Sequence, residues 1–162
     1  MTRRRSHAHS SEEPLTQLLY CSRKTRALPV TELRSLVEHG ARKNQHSQIS
    51  GTLLAGCGLY LQFLEGPAAE VNALWTRLQR DRRHVRPVLM MQNARGASRL
   101  YPAHPMAYQG QVTPLQFTSL ARDVREHVNA HAVWHLGTRE LAQMVDRSAR
   151  RQERLGQEPD DE

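Results

Sequence analysis

Aromatic side chains are scarce in this chain: Phe, Trp and Tyr make up 5% of its 162 residues. A surface that stacks nucleic-acid bases needs exposed rings, so the scarcity argues against that class of partner. Cysteine is scarcer still. Cys21 and Cys57 offer no disulfide framework and no metal-ligand spacing. No run approaches the ~20 apolar residues that span a bilayer. Arg3-Arg4-Arg5 is followed by no apolar stretch, which excludes a signal peptide. A soluble, cytoplasmic protein without a membrane partner is the expectation. Glycine-rich nucleotide fingerprints, P-loops, nucleophile elbows and paired catalytic carboxylates are all missing. Between 14 and 112 the acidic residues are only Glu32, Glu38, Glu65, Glu70 and Asp81.

Charge is unevenly spread. Residues 14–112 hold 13 Lys and Arg against 5 Asp and Glu, a net of +8, within a chain total of +7. A basic middle suits either an anionic ligand or a solvated surface. Residues 1–13 and 152–162 have almost nothing to bury and are expected to be disordered tails. The apolar periodicity lies between them, with a folded domain over 14–112 and capping helices over 113–151.

Within the domain, Leu15 to Ser22 reads as a strand. Thr31 is an expected N-cap for a helix to about Lys43, with Leu33, Leu36, Val37 and Ala41 at helical spacing. Strands follow at Ile49 to Ala55 and Leu59 to Gly66, joined by a hairpin at Gly56-Cys57-Gly58. A second helix from Pro67 buries Val71, Leu74, Trp75 and Leu78. Val85 to Gln92 and Met106 to Gln109 complete the order β-α-β-β-α-β-β. Its first six elements form the ferredoxin-like pattern, an α+β sheet with two helices on one face. Leu115 to His131, then Thr138 to Arg151, are expected to cover the other face. His127, His131 and His135 would form a stripe if that helix ran straight, but no further ligand completes a metal site.

Gln62 breaks the apolar pattern. Leu59, Leu61 and Phe63 point one way, Tyr60, Gln62 and Leu64 the other, and both faces are apolar enough to be covered. An unpaired amide there would cost about 1–3 kcal/mol. Tyr20 falls on the same face if strands one and three are neighbours, and Asn44 lies above that edge. The three either surround a planar polar ligand or satisfy one another, with Asn44 as a helix C-cap. Arg80-Asp81-Arg82-Arg83-His84 is a donor cluster fit for a phosphate or ribityl chain, or a plain charged loop.

The runs Leu18-Leu19-Tyr20-Cys21-Ser22-Arg23, Ile49-Ser50-Gly51-Thr52-Leu53-Leu54 and Tyr60-Leu61-Gln62-Phe63-Leu64-Glu65-Gly66, with Asn44 and the 80–84 cluster, closely resemble the BLUF domain. BLUF domains are blue-light sensors that use flavin, usually FAD, held between the two helices of a ferredoxin-like sheet. The resemblance covers about 15–110. It implies that Tyr20 is the photochemical electron and proton donor and that Gln62 bridges Tyr20 and the flavin. Asn44 would bond the ring edge, Arg83 and His84 would contact the flavin, and Ile49 and Leu33 would be apolar walls. Met106 matches the family's last-strand methionine, whereas His104 stands where a tryptophan is usual. The resemblance thus implies a photoreceptor and not an enzyme, with FAD as cofactor and FMN or riboflavin as alternatives. A rearranged Tyr-Gln-flavin network would signal to a separate protein or through a homo-oligomer. The rival readings are a flavin-free interaction module or a nucleic-acid-binding one.

Overall fold

The computed structural model describes residues 14–25 and 28–156. Five β-strands and two α-helices build the first part: β1 (Leu15–Lys24), α1 (Val30–His46), β2 (Ser50–Gly56), β3 (Leu59–Gly66), α2 (Ala68–Leu78), β4 (His84–Gly96) and β5 (Ala107–Gln109). Then come α3 (Pro114–His127), β6 (Val133–Trp134) and α4 (Thr138–Leu155). The strands form one sheet in the order β5-β2-β3-β1-β4-β6. All pairings are antiparallel except β2 with β5. The α+β ferredoxin-like arrangement read from the sequence is therefore present, extended at both edges.

Alternation along β3 divides the molecule. Leu59, Leu61 and Phe63 join Leu19, Cys21, Met90 and Met91 in one core. Phe117, Leu120 and Val124 of α3 and Leu141 and Val145 of α4 close over it. Leu64, Tyr20 and Leu18 face the other way, against Val71 of α2 and Ile49. Each face removes its apolar strand residues from water, so the C-terminal helices cover the sheet as the pattern predicts.

Several boundaries differ from the expectation. Thr31 is not the N-cap: Pro29 is, and its carbonyl accepts from Leu33 N at 2.9 Å. Pro29 has no N–H to satisfy, so the helix starts directly after it. Pro67 likewise caps α2 instead of opening it. Asn44 is no C-cap, since α1 continues to His46 and Ser47 ends it. The histidine stripe does not form, because α3 stops at His127. Asn129 takes over the backbone there: its Oδ1 accepts from His131 N (3.1 Å) and its Nδ2 donates to Arg95 O (2.7 Å). Such side-chain bonds compete with continued helix. Strand β6 was not anticipated, being only two residues long. Helix α4 runs four residues past Arg151, through Gln152-Glu153-Arg154-Leu155, all but Leu155 charged or amide side chains of good helix propensity. Of the expected tails 1–13 and 152–162, residues 152–155 are thus helical, and residues 1–13 and 157–162 lie outside the described residues.

Two local features hold β3 in place. Cys57 and Gly58 are the two loop residues between β2 and β3, and both have positive φ (51° and 75°), as a type I′ hairpin requires. Glu65 is fully buried. Its carboxylate accepts from Leu100 N (2.9 Å), Tyr101 N (2.7 Å), Gln17 Nε2 (3.2 Å) and Ser50 Oγ (3.3 Å). Burial of a polar group requires that its hydrogen-bonding capacity be met in this way.

Gly51 lies opposite Leu64, and a Cβ there would overlap the Phe63 carbonyl oxygen. Since that oxygen belongs to the central strand, it cannot move aside. Gly51→Ala is expected to cost about 3 kcal/mol, the upper end of overpacking penalties, as read by the shift in denaturation midpoint.

Candidate functional site

Between α1 and α2, above β1 and β3, lies a cavity of about 300 Å³, at the lower end of ligand-site volumes. Its rear wall is polar. Tyr20 and Gln62 are directly opposite in the β1–β3 register, so both side chains project into the same space. The Tyr20 hydroxyl donates to Gln62 Oε1. With its oxygen engaged, the amide has Nε2 left to offer, and no acceptor meets it among the described residues. Asn44, in the last turn of α1, donates from Nδ2 to the Pro105 carbonyl at 2.9 Å. Its Oδ1 is left for the cavity.

The side walls are apolar. Leu33, Leu36 and Val37 come from α1, Leu74 and Leu78 from α2, and Ile49 from the entry to β2. Met106 closes one end against Gly40, where a Cβ would overlap the methionine Cε. At the other end stand Asp81, Arg83 and His84. Arg83 is bonded to Asp81 through Nε at 2.9 Å, with a second contact from Nη2. That hydrogen bonding holds the Asp81 carboxyl below its ordinary range, burial opposing it.

His84 is buried, and neither ring nitrogen has a hydrogen-bond partner of adequate geometry. Desolvation lowers its pKa, Asp81 opposing and Arg83 assisting, while the approach of the Leu78 backbone raises it least. The ring is therefore neutral near pH 7 and offers one donor and one acceptor. Burial, then Asp81, pushes the Tyr20 phenol far above its ordinary range. Tyr20 thus keeps its proton, and its ring lies 4.9 Å from that of Trp75.

All seven site residues read from the sequence, Tyr20, Asn44, Ile49, Gln62, Arg83, His84 and Met106, line this one cavity, and so does Leu33. Arg80 and Arg82 do not; both are exposed. Tyr60 lines it without having been given a role. Tyr60 had a signal, as it shares the Gln62 face two residues away. The donor set fits a flat ligand with donors and acceptors on its edge: an unused amide nitrogen, an unused amide oxygen and an unpartnered imidazole between two aliphatic walls. A flavin ring has that shape and that edge.

Residues 15–107 match the sequence model of the family described as sensors of blue-light using FAD. The chain belongs to the BLUF family. It is 35% identical over 94 residues to the photoactivated adenylate cyclase subunit beta of Euglena gracilis, covering 58% of this chain and 11% of that one. It is 33% identical over 70 residues to the blue light- and temperature-regulated antirepressor BluF of Escherichia coli K12, covering 43% and 17%. It thus spans only a small part of the curated relatives it matches. Among solved structures, Klebsiella pneumoniae BlrP1 with FMN and cyclic diGMP superposes with a TM-score of 0.56 at 28% identity, over 68% of this chain and 30% of that one. The dark-state BLUF protein BlrB, at 24% identity, shares the fold with a TM-score of 0.58 over 70% of this chain and 83% of its own.

Within the BLUF frame the departure at His104 has a clear geometry. Its side chain is exposed; its carbonyl accepts from Gly51 N at 3.0 Å, tying the segment before β5 to β2. Met106, not residue 104, reaches the cavity. No helix among the described residues is long and apolar enough to cross a membrane.

Behind Tyr20, burial pushes the Cys21 thiol up to about 12. Tyr60 is raised too, by burial first and Tyr108 next. The unfolded chain ionises these groups from their ordinary values of 9.0 and 10.0, whereas the folded chain keeps them neutral. Unfolding therefore releases protons in alkali, and stability, complete below about pH 9, falls as pH rises toward the folded values. The denaturant midpoint is expected to drop between about pH 9 and about pH 12, and Tyr20→Phe should blunt the drop.

Proposed function

We propose that this chain senses blue light through a flavin held in the α1–α2 cavity, with Tyr20 and Gln62 as its photochemical pair. The observation that carries the reading is the hydrogen bond from the Tyr20 hydroxyl to Gln62 Oε1 inside a cavity where both ring nitrogens of His84 are unpaired. When bound, the flavin supplies blue absorption and an electron acceptor.

The chain's own residues do the rest. Tyr20, kept neutral by burial, holds at its oxygen the proton that travels with its electron. Gln62 conducts that proton because an amide presents an acceptor and a donor from one group. A carboxylate could not do so. After the charges recombine, the amide is left in a second hydrogen-bonding arrangement, and no net reaction has occurred. Asn44 and His84 orient the ring edge; Leu33, Ile49 and Met106 exclude water. Arg83, its fork partly occupied by Asp81, holds the ligand's side chain.

FAD is the cofactor this reading favours, with FMN or riboflavin as alternatives; release by denaturation and chromatography decides among them. Residues 14–112 act as the flavin-binding unit and 113–151 as the capping helices that relay its state. The signal passes to a separate protein or through a homo-oligomer in the cytoplasm. Support comes from the strand contacts: Gln62 faces Leu53, and Leu53 faces Tyr108 of β5. A changed amide arrangement at Gln62 acts on a neighbour of the short edge strand, a candidate two-state element.

The protein should be yellow and show a reversible red shift of its visible absorption after blue light. A colourless protein, or a yellow one with a static spectrum, would refute the reading. Tyr20→Phe and Gln62→Glu are expected to abolish the shift while the flavin stays bound.

A further inference from the structure

A second cavity of about 300 Å³ lies on the far face of the sheet, beneath α4. We propose that it binds a small ligand carrying a phosphate or diphosphate group on an apolar body, a nucleotide being the simplest such molecule. The site is separate from the flavin cavity and shares no residue with it.

Its wall is built from arginines on three elements: Arg23 at the end of β1, Arg86 in β4, and Arg147 and Arg151 on α4. None of the four has an ion-pair partner among the described residues. Asp146, beside Arg147 in sequence, is bonded to Arg150 instead. No acidic side chain lines the cavity. Arg147 and Arg151 are like charges at i, i+4, an arrangement that opposes the helix unless something neutralises it. Arg86 has a positive φ of 52°. It falls where the β1–β4 register slips, between Cys21–Val88 and Arg23–Val85. Arg86 and Val88, two residues apart, both line the cavity.

Convergent guanidinium groups match the paired oxygens of phosphate, each able to donate two parallel bonds. The floor has different chemistry. Leu59, Val88, Met144 and the neutral Cys21 thiol form it, so a bare inorganic anion would leave apolar surface uncovered. A flat apolar group joined to phosphate satisfies wall and floor together. Ser148, which donates to the Cys57 carbonyl at 2.6 Å, fixes α4 against the β2–β3 hairpin at the rim.

The test is calorimetric titration of the full-length, flavin-loaded protein with ADP and, separately, with pyrophosphate. Saturable binding of both is expected, ADP being the tighter. Arg147→Ala/Arg151→Ala should weaken ADP by about tenfold or more, the equivalent of one charge-assisted contact. Both positions are exposed, so the fold is not at risk. Arg122→Ala/Arg139→Ala removes the same charge from exposed sites elsewhere and should leave the affinity unchanged. Absence of binding by both probes, or equal losses in both double variants, would overturn the proposal. Pyrophosphate binding as tightly as ADP would overturn the role of the floor. Flavin absorption, followed in the same samples, reports on the other cavity, so the two readings can fail separately.

Discussion

The register of β1 against β3 is the constraint on which the site depends. Tyr20 meets Gln62 because the two residues are direct partners in an antiparallel ladder. The ladder is held there by what surrounds it. Leu19, Leu61 and Phe63 are buried on one side, Leu18 and Leu64 on the other. A slip of one residue would carry every one of these side chains to the opposite face. It would also part the phenol from the amide. A polar contact of functional weight is therefore positioned by apolar burial that has no chemical role of its own.

The two faces of the sheet differ in where their helices leave space. On the far face α3 and α4 close over the strands, with Phe117, Ala121, Val124, Leu141 and Val145 fully buried, apart from the arginine-walled cavity beneath α4. On the near face α1 and α2 stand apart, and only Val71 of α2 is buried completely. The space between them is the cavity. Burial desolvates its polar atoms, which raises the phenol pKa of Tyr20 and lowers that of His84. Neutral forms result at both positions, so these two groups present hydrogen bonds rather than charge. Of the cations that also line the cavity, Lys43, Arg77 and Arg83, the last is offset by Asp81.

Much of the architecture was legible because it depends on periodicity. Alternation in 59–66 assigned the two faces of β3, and helical spacing of Leu33, Leu36 and Val37 found the wall of α1. Gln62 stood out because an amide breaks an apolar run. Contacts between distant segments were not legible. Nothing in the order of residues announces that Asn44 donates to Pro105, or that Asn129 ends α3 by capturing Arg95 and His131. Thr31 misled because its residue type favours an N-cap, whereas Pro29 two residues earlier already sets a helix-compatible φ. Strand β6 is too short to carry any period.

The sequence by itself determined the element order, the split of apolar residues between two faces, and the identity of the Tyr-Gln pair. These follow from local periodicity and from the cost of burying an amide, both readable along one segment. Tertiary structure alone decided which polar atoms were left without partners, and so where a ligand is needed. It turned His104 outward and Met106 inward, and drew Arg23, Arg86, Arg147 and Arg151 into one wall. The reason is physical: whether a polar atom is satisfied depends on every segment that packs near it, and those segments are remote in the chain.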